Sequence, residues 1–204
     1  MLIKRIPAGV YAANCYIISD ELSKECVIID AGGDAEDIEN YIIQIGAKVK
    51  YILLTHGHLD HTGGVGYLSE KFKLQAHIHR EDGLLIKENG FMFGPLTYKG
   101  KFVELLDDLY ESSVFTIGNA AIKIIETPGH TPGGVCFKIE NNLFTGDTLF
   151  LRSIGRTDLS GGNFDTLISS IKNKLFTLPD ELVVYPGHGP STSIKYEREH
   201  NPFL

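Results

Sequence analysis

The sequence predicts an α/β fold, and three observations predict it. Apolar runs of strand length recur along the 204 residues, among them Tyr51-Ile52-Leu53-Leu54 and Leu182-Val183-Val184-Tyr185. Other stretches place apolar residues three and four apart, as Ile38, Tyr41, Ile42 and Ile45 do, which makes one buried helix face. Strands followed by helix come twice over, which suggests a duplicated αβ unit.

Taken in order, strands are expected near 15–19, 25–30 and 50–55, with a helix at 34–45 that ends at Gly46, a natural left-handed stop. A helix at 63–72 follows Gly63-Gly64-Val65-Gly66. That glycine run lacks the Lys-Ser/Thr ending of a phosphate loop, so it reads as room for a closely packed helix. A strand at 75–79 carries His77 and His79 at its end and leads into a helix at 80–88 capped by Glu81 and Asp82. The segment 88–96 is apolar and broken by Gly and Pro, and reads equally as core or as a flap over a pocket. Strands near 114–117, 121–127, 134–139, 142–145 and 182–185 complete the list, with helices at 163–176 and 191–199. Asn163 is the expected N-cap of a face made by Phe164, Leu167, Ile168, Ile171 and Leu175.

Composition narrows the class. Hydrophobic residues make up 43% and charged residues 22%, within the globular range, and no linker divides the chain, so residues 1–204 are expected to form one domain. The net charge of −7 argues against nucleic acid as a partner. No apolar run is long enough to span a bilayer, and the N-terminus has no secretory pattern. Cys15, Cys26 and Cys136 sit in apolar, strand-like contexts and read as buried thiols of a cytoplasmic protein. The oligomeric state is not legible.

The chemistry lies in Thr55-His56-Gly57-His58-Leu59-Asp60-His61, directly after the apolar run 51–54. Imidazole and carboxylate are ligands for zinc and comparable metals. The i,i+2 spacing of His56 and His58 suits an extended loop leaving a strand, where alternate residues point the same way, so both reach one ion. Asp60 and His61 then turn toward a second. The pattern of apolar strand, glycine and ligand recurs at Pro128-Gly129-His130, Gly146-Asp147 and Pro186-Gly187-His188. Two-metal sites activate water for hydrolysis. His77, His79 and His200 have no such setting and are not expected to bind metal.

Together these motifs resemble the metallo-β-lactamase superfamily of metal-dependent hydrolases, from Asp30-Ala31-Gly32-Gly33 to Gly187-His188-Gly189. The resemblance implies a four-layer αββα sandwich with metals at one edge of the two sheets. It implies that His56, His58 and His130 hold metal 1, that Asp60, His61 and His188 hold metal 2, that Asp147 bridges them, and that Asp30 supports a ligand by hydrogen bonding. Asp60 would also orient the attacking hydroxide. The implied cofactor is a pair of divalent ions, zinc first and iron or manganese as alternatives.

Gly146-Asp147-Thr148-Leu149-Phe150 and Ser153-Ile154-Gly155-Arg156-Thr157-Asp158 look most like the glyoxalase II-like branch, which hydrolyses hydroxyacyl-glutathione thioesters. Arg156 matches its basic residue for the thiol side of the substrate, and Phe91 and Phe93 are candidate acyl contacts. The branch's Gly-His-Glu-Tyr reads here Gly187-His188-Gly189-Pro190, and its C-terminal helical glutathione-binding domain is not expected, since the chain stops at Leu204. A small-molecule thioester is the expected substrate. Persulfide dioxygenases of the same fold also resemble the chain, through Gly155-Arg156-Thr157-Asp158. They imply one iron on His56, His130 and Asp147.

Overall fold

The computed structural model describes every residue except 89–91, 94 and 95. Two six-stranded sheets organise the described chain. The first contains β1 (Leu2–Ala8), β2 (Ala13–Ser19), β3 (Glu25–Ile29), β4 (Lys48–Leu53), β5 (Ala76–Ile78) and β6 (Leu105–Asp107), in that spatial order. The second contains β7 (Phe115–Ile117), β8 (Ala120–Glu126), β9 (Val135–Ile139), β10 (Asn142–Gly146), β11 (Val183–Pro186) and β12 (Thr192–Ser193), also side by side in that order. The helices are α1 (Ala35–Gln44), α2 (Leu59–Thr62), α3 (Val65–Phe72), α4 (Arg80–Lys87), α5 (Phe164–Ser170) and α6 (Ile194–His200), and α5 runs on into a π-helical turn over Ile171–Leu175.

Three separate apolar cores make the four layers. Strand side chains alternate between faces. Ile17, Ile28 and Ile52 therefore point one way, against Ile38, Ile42, Val65, Leu68 and Ile86 of α1, α3 and α4. Their neighbours Ile18, Val27, Ile29 and Leu53 point the other way, against Ile122, Ile124, Phe137 and Phe144 of the second sheet. The far face of that sheet sends Cys136, Leu143 and Val184 onto Leu167, Ile171, Leu175 and Ile194. Central strands covered on both faces read as continuous apolar runs, and β2 is buried at every position. The fold is the αββα sandwich the motifs implied.

Strand direction decides where the motif loops meet. β3 and β4 are parallel, and so are β10 and β11. β8 and β10 are each antiparallel to β9, so they too run the same way. The exits of these five strands carry Asp30, the 56–61 loop, His130, Asp147 and His188. The sheets are joined at that edge: Val135 N donates to Thr55 O at 2.8 Å, and Asn14 N donates to Gly187 O at 2.7 Å.

Some boundaries differ from the expected ones. The helix expected at 63–72 is α3, which starts at Val65, and an unexpected single turn, α2, precedes it across Gly63 and Gly64. β1 was not expected at all: it is a largely exposed outer strand containing Pro7, so it lacks an apolar alternation. The expected caps hold at Asn163, whose side chain accepts from Thr166 N, and at Gly46, which adopts φ 62° just past α1. At α4 the cap is His79, which accepts from Glu81 N, while Asp82 turns inward. Cys15, Cys26 and Cys136 are free and buried. No helix among the described residues is long and apolar enough to cross a membrane.

Candidate metal centre

The 56–61 segment folds as its spacing predicts. Leu54 and Thr55 continue past β4 into the site, and His58 is extended (φ −66°, ψ 148°) as it enters α2. The single turn of α2 then swings Asp60 and His61 to the other side. His56, His58 and His130 place one ligand atom each within 4.8 Å of one another, and Asp60, His61 and His188 do the same. Asp147 lies between the groups. Its Oδ1 is 3.4 Å from His61 Nε2, and its Oδ2 is 3.7 Å from His130 Nε2 and 3.8 Å from His188 Nε2. All seven expected ligands are thus brought together. Asp30, His56 and His61 also cluster, but both Asp30 oxygens are already committed within the protein.

Hydrogen bonds fix which ring nitrogen faces inward. Asp30 Oδ1 accepts from Thr55 N at 2.8 Å. Its Oδ2 accepts from Thr55 Oγ1 at 2.7 Å and lies 2.9 Å from His61 Nδ1. His61 therefore carries a proton on Nδ1 and turns Nε2 to the centre. Thr55 Oγ1, having given its proton to Asp30, accepts from His56 Nδ1 at 3.0 Å, which leaves His56 Nε2 inward. His130 Nδ1 donates to the main-chain carbonyl of Arg156 at 2.8 Å, which turns its Nε2 toward His58 Nδ1, 3.0 Å away.

Three inward atoms have no hydrogen-bond partner in the protein: His56 Nε2, His61 Nε2 and Asp147 Oδ1 are all buried without one. Each such group costs roughly 1–3 kcal/mol. Cations held among them would remove that cost, and the nitrogen and oxygen donor set suits first-row divalent metals. Gly187 is required beside them, since a Cβ there would come within 2.7 Å of His61 Cε1 and closer still to Asp147 Oδ1.

The electrostatics favour lone pairs in the first group. Burial, then the neighbouring histidines, push His56 well below the ordinary imidazole value. Burial, then His130, push His58 down to about 4. The second group is acid-bound. Burial opposes protonation of His61, but the Asp147 and Asp30 carboxylates carry it well above its ordinary value. The hydrogen bond to Asp60, 3.2 Å away, raises His188. Burial works to raise Asp147, and the His61, His130 and His188 charges overcome it and hold the carboxyl low.

The centre opens into a cleft of about 650 Å³ lined by His58, Asp60, His130, Asp147 and His188. Tyr11, Met92, Phe150, Ile154, Arg156 and Leu159 form its rim. Arg156 is exposed there and paired with Asp158 through two 2.8 Å bonds. Phe93 is fully buried and does not line the cleft; its ring packs 4.6 Å from that of His58. Phe91 lies outside the described residues. His77 is bound to Asp108 at 2.9 Å, away from the centre, as expected of a histidine without a ligand setting. Sequence reading missed Thr55, although its place before His56 marks it, and Tyr11, for which the sequence gives no signal.

Comparison with known proteins shows the family. The family model of the metallo-beta-lactamase superfamily matches residues 8–188. Hydroxyacylglutathione hydrolase GloC of Haemophilus influenzae is 37% identical, the match covering 100% of this chain and 98% of GloC. The probable metallo-hydrolase YqgX of Bacillus subtilis is 38% identical over 98% of this chain and 96% of its own. Among solved structures, the BLEG-1 B3 metallo-beta-lactamase is 39% identical with a TM-score of 0.86, covering 100% and 99% of the two chains. TTHA1623 in a di-iron-bound form is 32% identical with a TM-score of 0.82, over 98% and 100%. ETHE1 from Myxococcus xanthus is 28% identical with a TM-score of 0.79, over 99% and 84%. By family match, fold and the arrangement of its ligand loops, the chain belongs to the metallo-beta-lactamase superfamily.

Proposed function

We propose that the chain is a dinuclear-metal hydrolase that cleaves small thioesters of the hydroxyacyl-glutathione kind. One observation carries the dinuclear reading: two three-residue ligand groups with Asp147 between them and unpartnered donor atoms turned inward. His56, His58 and His130 would hold one ion, Asp60, His61 and His188 the other, and Asp147 both. Zinc is the expected ion, with iron or manganese as alternatives; the di-iron-bound TTHA1623 supports two metals on this fold and keeps iron in view.

Such a metal pair, when bound, would supply Lewis acidity, enough to make a water acidic near neutral pH and to polarise an acyl carbonyl. The chain's own residues do the rest. Asp60 lines the cleft, and although burial works to raise its carboxyl, the His188 hydrogen bond keeps it low, so it stays ionised to accept a proton and orient the attacking water. Asp30, Thr55 and the Arg156 carbonyl lock three imidazoles by their far nitrogens. The Arg156 guanidinium offers a carboxylate of the thiol-side group a charge-assisted contact at the rim, exchanging for Asp158. A thiolate is a weak base and leaves without a dedicated proton donor.

The relative GloC supports this substrate class. Steady-state kinetics on a panel of small thioesters tests it. Hydrolysis of lactoyl-glutathione with a high KM is expected, because Gly189-Pro190 stand where the branch has its glutathione-binding tyrosine. Absence of thioesterase activity in fully metallated protein removes the reading. The alternative, a mononuclear-iron persulfide dioxygenase, is favoured by the likeness to ETHE1 and by the Gly155-Arg156-Thr157-Asp158 stretch. Oxygen uptake on glutathione persulfide by protein holding one iron would select it.

A further inference from the structure

We propose that Asp82 is a positioning residue that registers the His56–His58 loop against the His130 loop, and so sets the first metal group. Its side chain is fully buried on α4. One carboxylate oxygen accepts from Gly57 N at 2.9 Å, and the other accepts from Gly133 N at 2.7 Å. Gly57 is the peptide between His56 and His58, so rotating it turns both imidazoles. Gly133 lies three residues after His130, in the loop between β8 and β9. The two loops leave different sheets, and the carboxylate ties one to the other.

The surroundings leave little slack. A Cβ on Gly57 would meet the Phe93 ring at 2.9 Å and Ile86 at 3.1 Å, so this peptide is pressed onto α4 and the ring behind His58. A Cβ on Gly133 would lie 2.7 Å from both Asp82 N and Asp82 Oδ1. The gap that depends on this register is the 3.0 Å between His58 Nδ1 and His130 Nε2. A buried carboxylate is costly, and an apolar side chain of similar size would serve packing alone at least as well. Two backbone N–H groups aimed at a single point are what a carboxylate satisfies and an apolar group does not.

The proposal rests on the reading of the site as a metal centre. Asp82→Asn keeps the volume but turns an amide NH2 toward one of the two N–H donors. Gly133→Ala displaces the same bond from its other partner. In chelator-stripped protein, the amide protons of Gly57 and Gly133 are expected downfield and slow to exchange by NMR, and in Asp82→Asn at least one loses both properties. In zinc-loaded protein titrated with a chelator, both variants are expected to release the first-group metal with about 10- to 100-fold weaker affinity, the range typical of groups that hold a ligand in place. The metal on Asp60, His61 and His188 stays, and the cobalt-substituted spectrum of the first group changes. Ile42→Val, a packing change in the same core on α1, is the control for lost stability. Wild-type release profiles in both variants overturn the proposal, as does equal loosening of both metals matched by Ile42→Val. Wild-type protein that takes up no metal removes the metal-centre reading and the proposal together, whereas a two-metal wild type with unaltered variants removes the proposal alone.

Discussion

Replacing Asp30 with Asn should weaken both the fold and the second metal group. Asp30 makes three contacts, with Thr55 N at 2.8 Å, Thr55 Oγ1 at 2.7 Å and His61 Nδ1 at 2.9 Å. An amide oxygen can still accept from Thr55 N, and the Thr55 hydroxyl can rotate to accept from the new NH2. His61 has no such freedom: facing an NH2, its Nδ1 must accept, so the neutral ring that a metal needs keeps its one proton on Nε2. That proton then points at Asp147 Oδ1, 3.4 Å away, and blocks the atom that faces the centre. Losing a charged partner in a buried position costs about 3 kcal/mol. For a domain of this length, that lowers Tm by roughly 6–12 °C. Metal affinity at the Asp60, His61 and His188 group should fall about 10- to 100-fold, or about 1.4–2.7 kcal/mol. Calorimetric titration of chelator-stripped protein with zinc separates the two steps. A second binding step with wild-type affinity in Asp30→Asn would refute the argument that Asp30 sets the His61 proton.

Other outcomes follow from the same geometry. Asp147→Ala removes the carboxylate that lies between both groups, so metal content and thioester hydrolysis should both fall by at least an order of magnitude, while His77→Ala, held by Asp108, should leave both near wild type. Elemental analysis and kinetics on the two variants check this. Metal loss should be staged with pH. Metal must displace protons from His61 and His188, whose values are raised, whereas His56 is already neutral and His58 stays so until about pH 4. Dialysis at stepped pH from 8 to 5 should strip the Asp60, His61 and His188 group first. In chelator-stripped protein, the lowered His58 makes the fold lose stability as pH falls from 6.5 to about 4, because the unfolded chain takes up the proton first. The raised His61 works oppositely: its contribution is full below 6.5 and is lost as pH rises through its folded value. Denaturant melts across pH read the balance.

The ligand loops were legible because each stands at the end of an apolar strand, and strand order then has only to bring those ends to one edge. The strand ends expected at Thr55, Thr127, Thr145 and Tyr185 fall at Leu53, Glu126, Gly146 and Pro186 in the structure, each within two residues. What the sequence hid was contact across the chain. Asp82 reads as one of two acids in the first turn of a helix, where acids are common for local reasons, and nothing local separates it from Glu81. Only the packing of α4 beneath the 56–61 loop turns it inward. Phe93 was read with Phe91 and Met92 as one apolar segment, but adjacent residues in a loop face different ways: Met92 lines the cleft and Phe93 backs His58. Short strands such as Leu105–Asp107 are held by the sheet they join and carry no period of their own.

Elemental analysis of freshly purified protein, before and after incubation with excess zinc, tests the central claim most directly. Close to two first-row metals per chain are predicted, one for each of the two ligand groups on either side of Asp147. A single tightly held metal with no gain on adding zinc would contradict the dinuclear account.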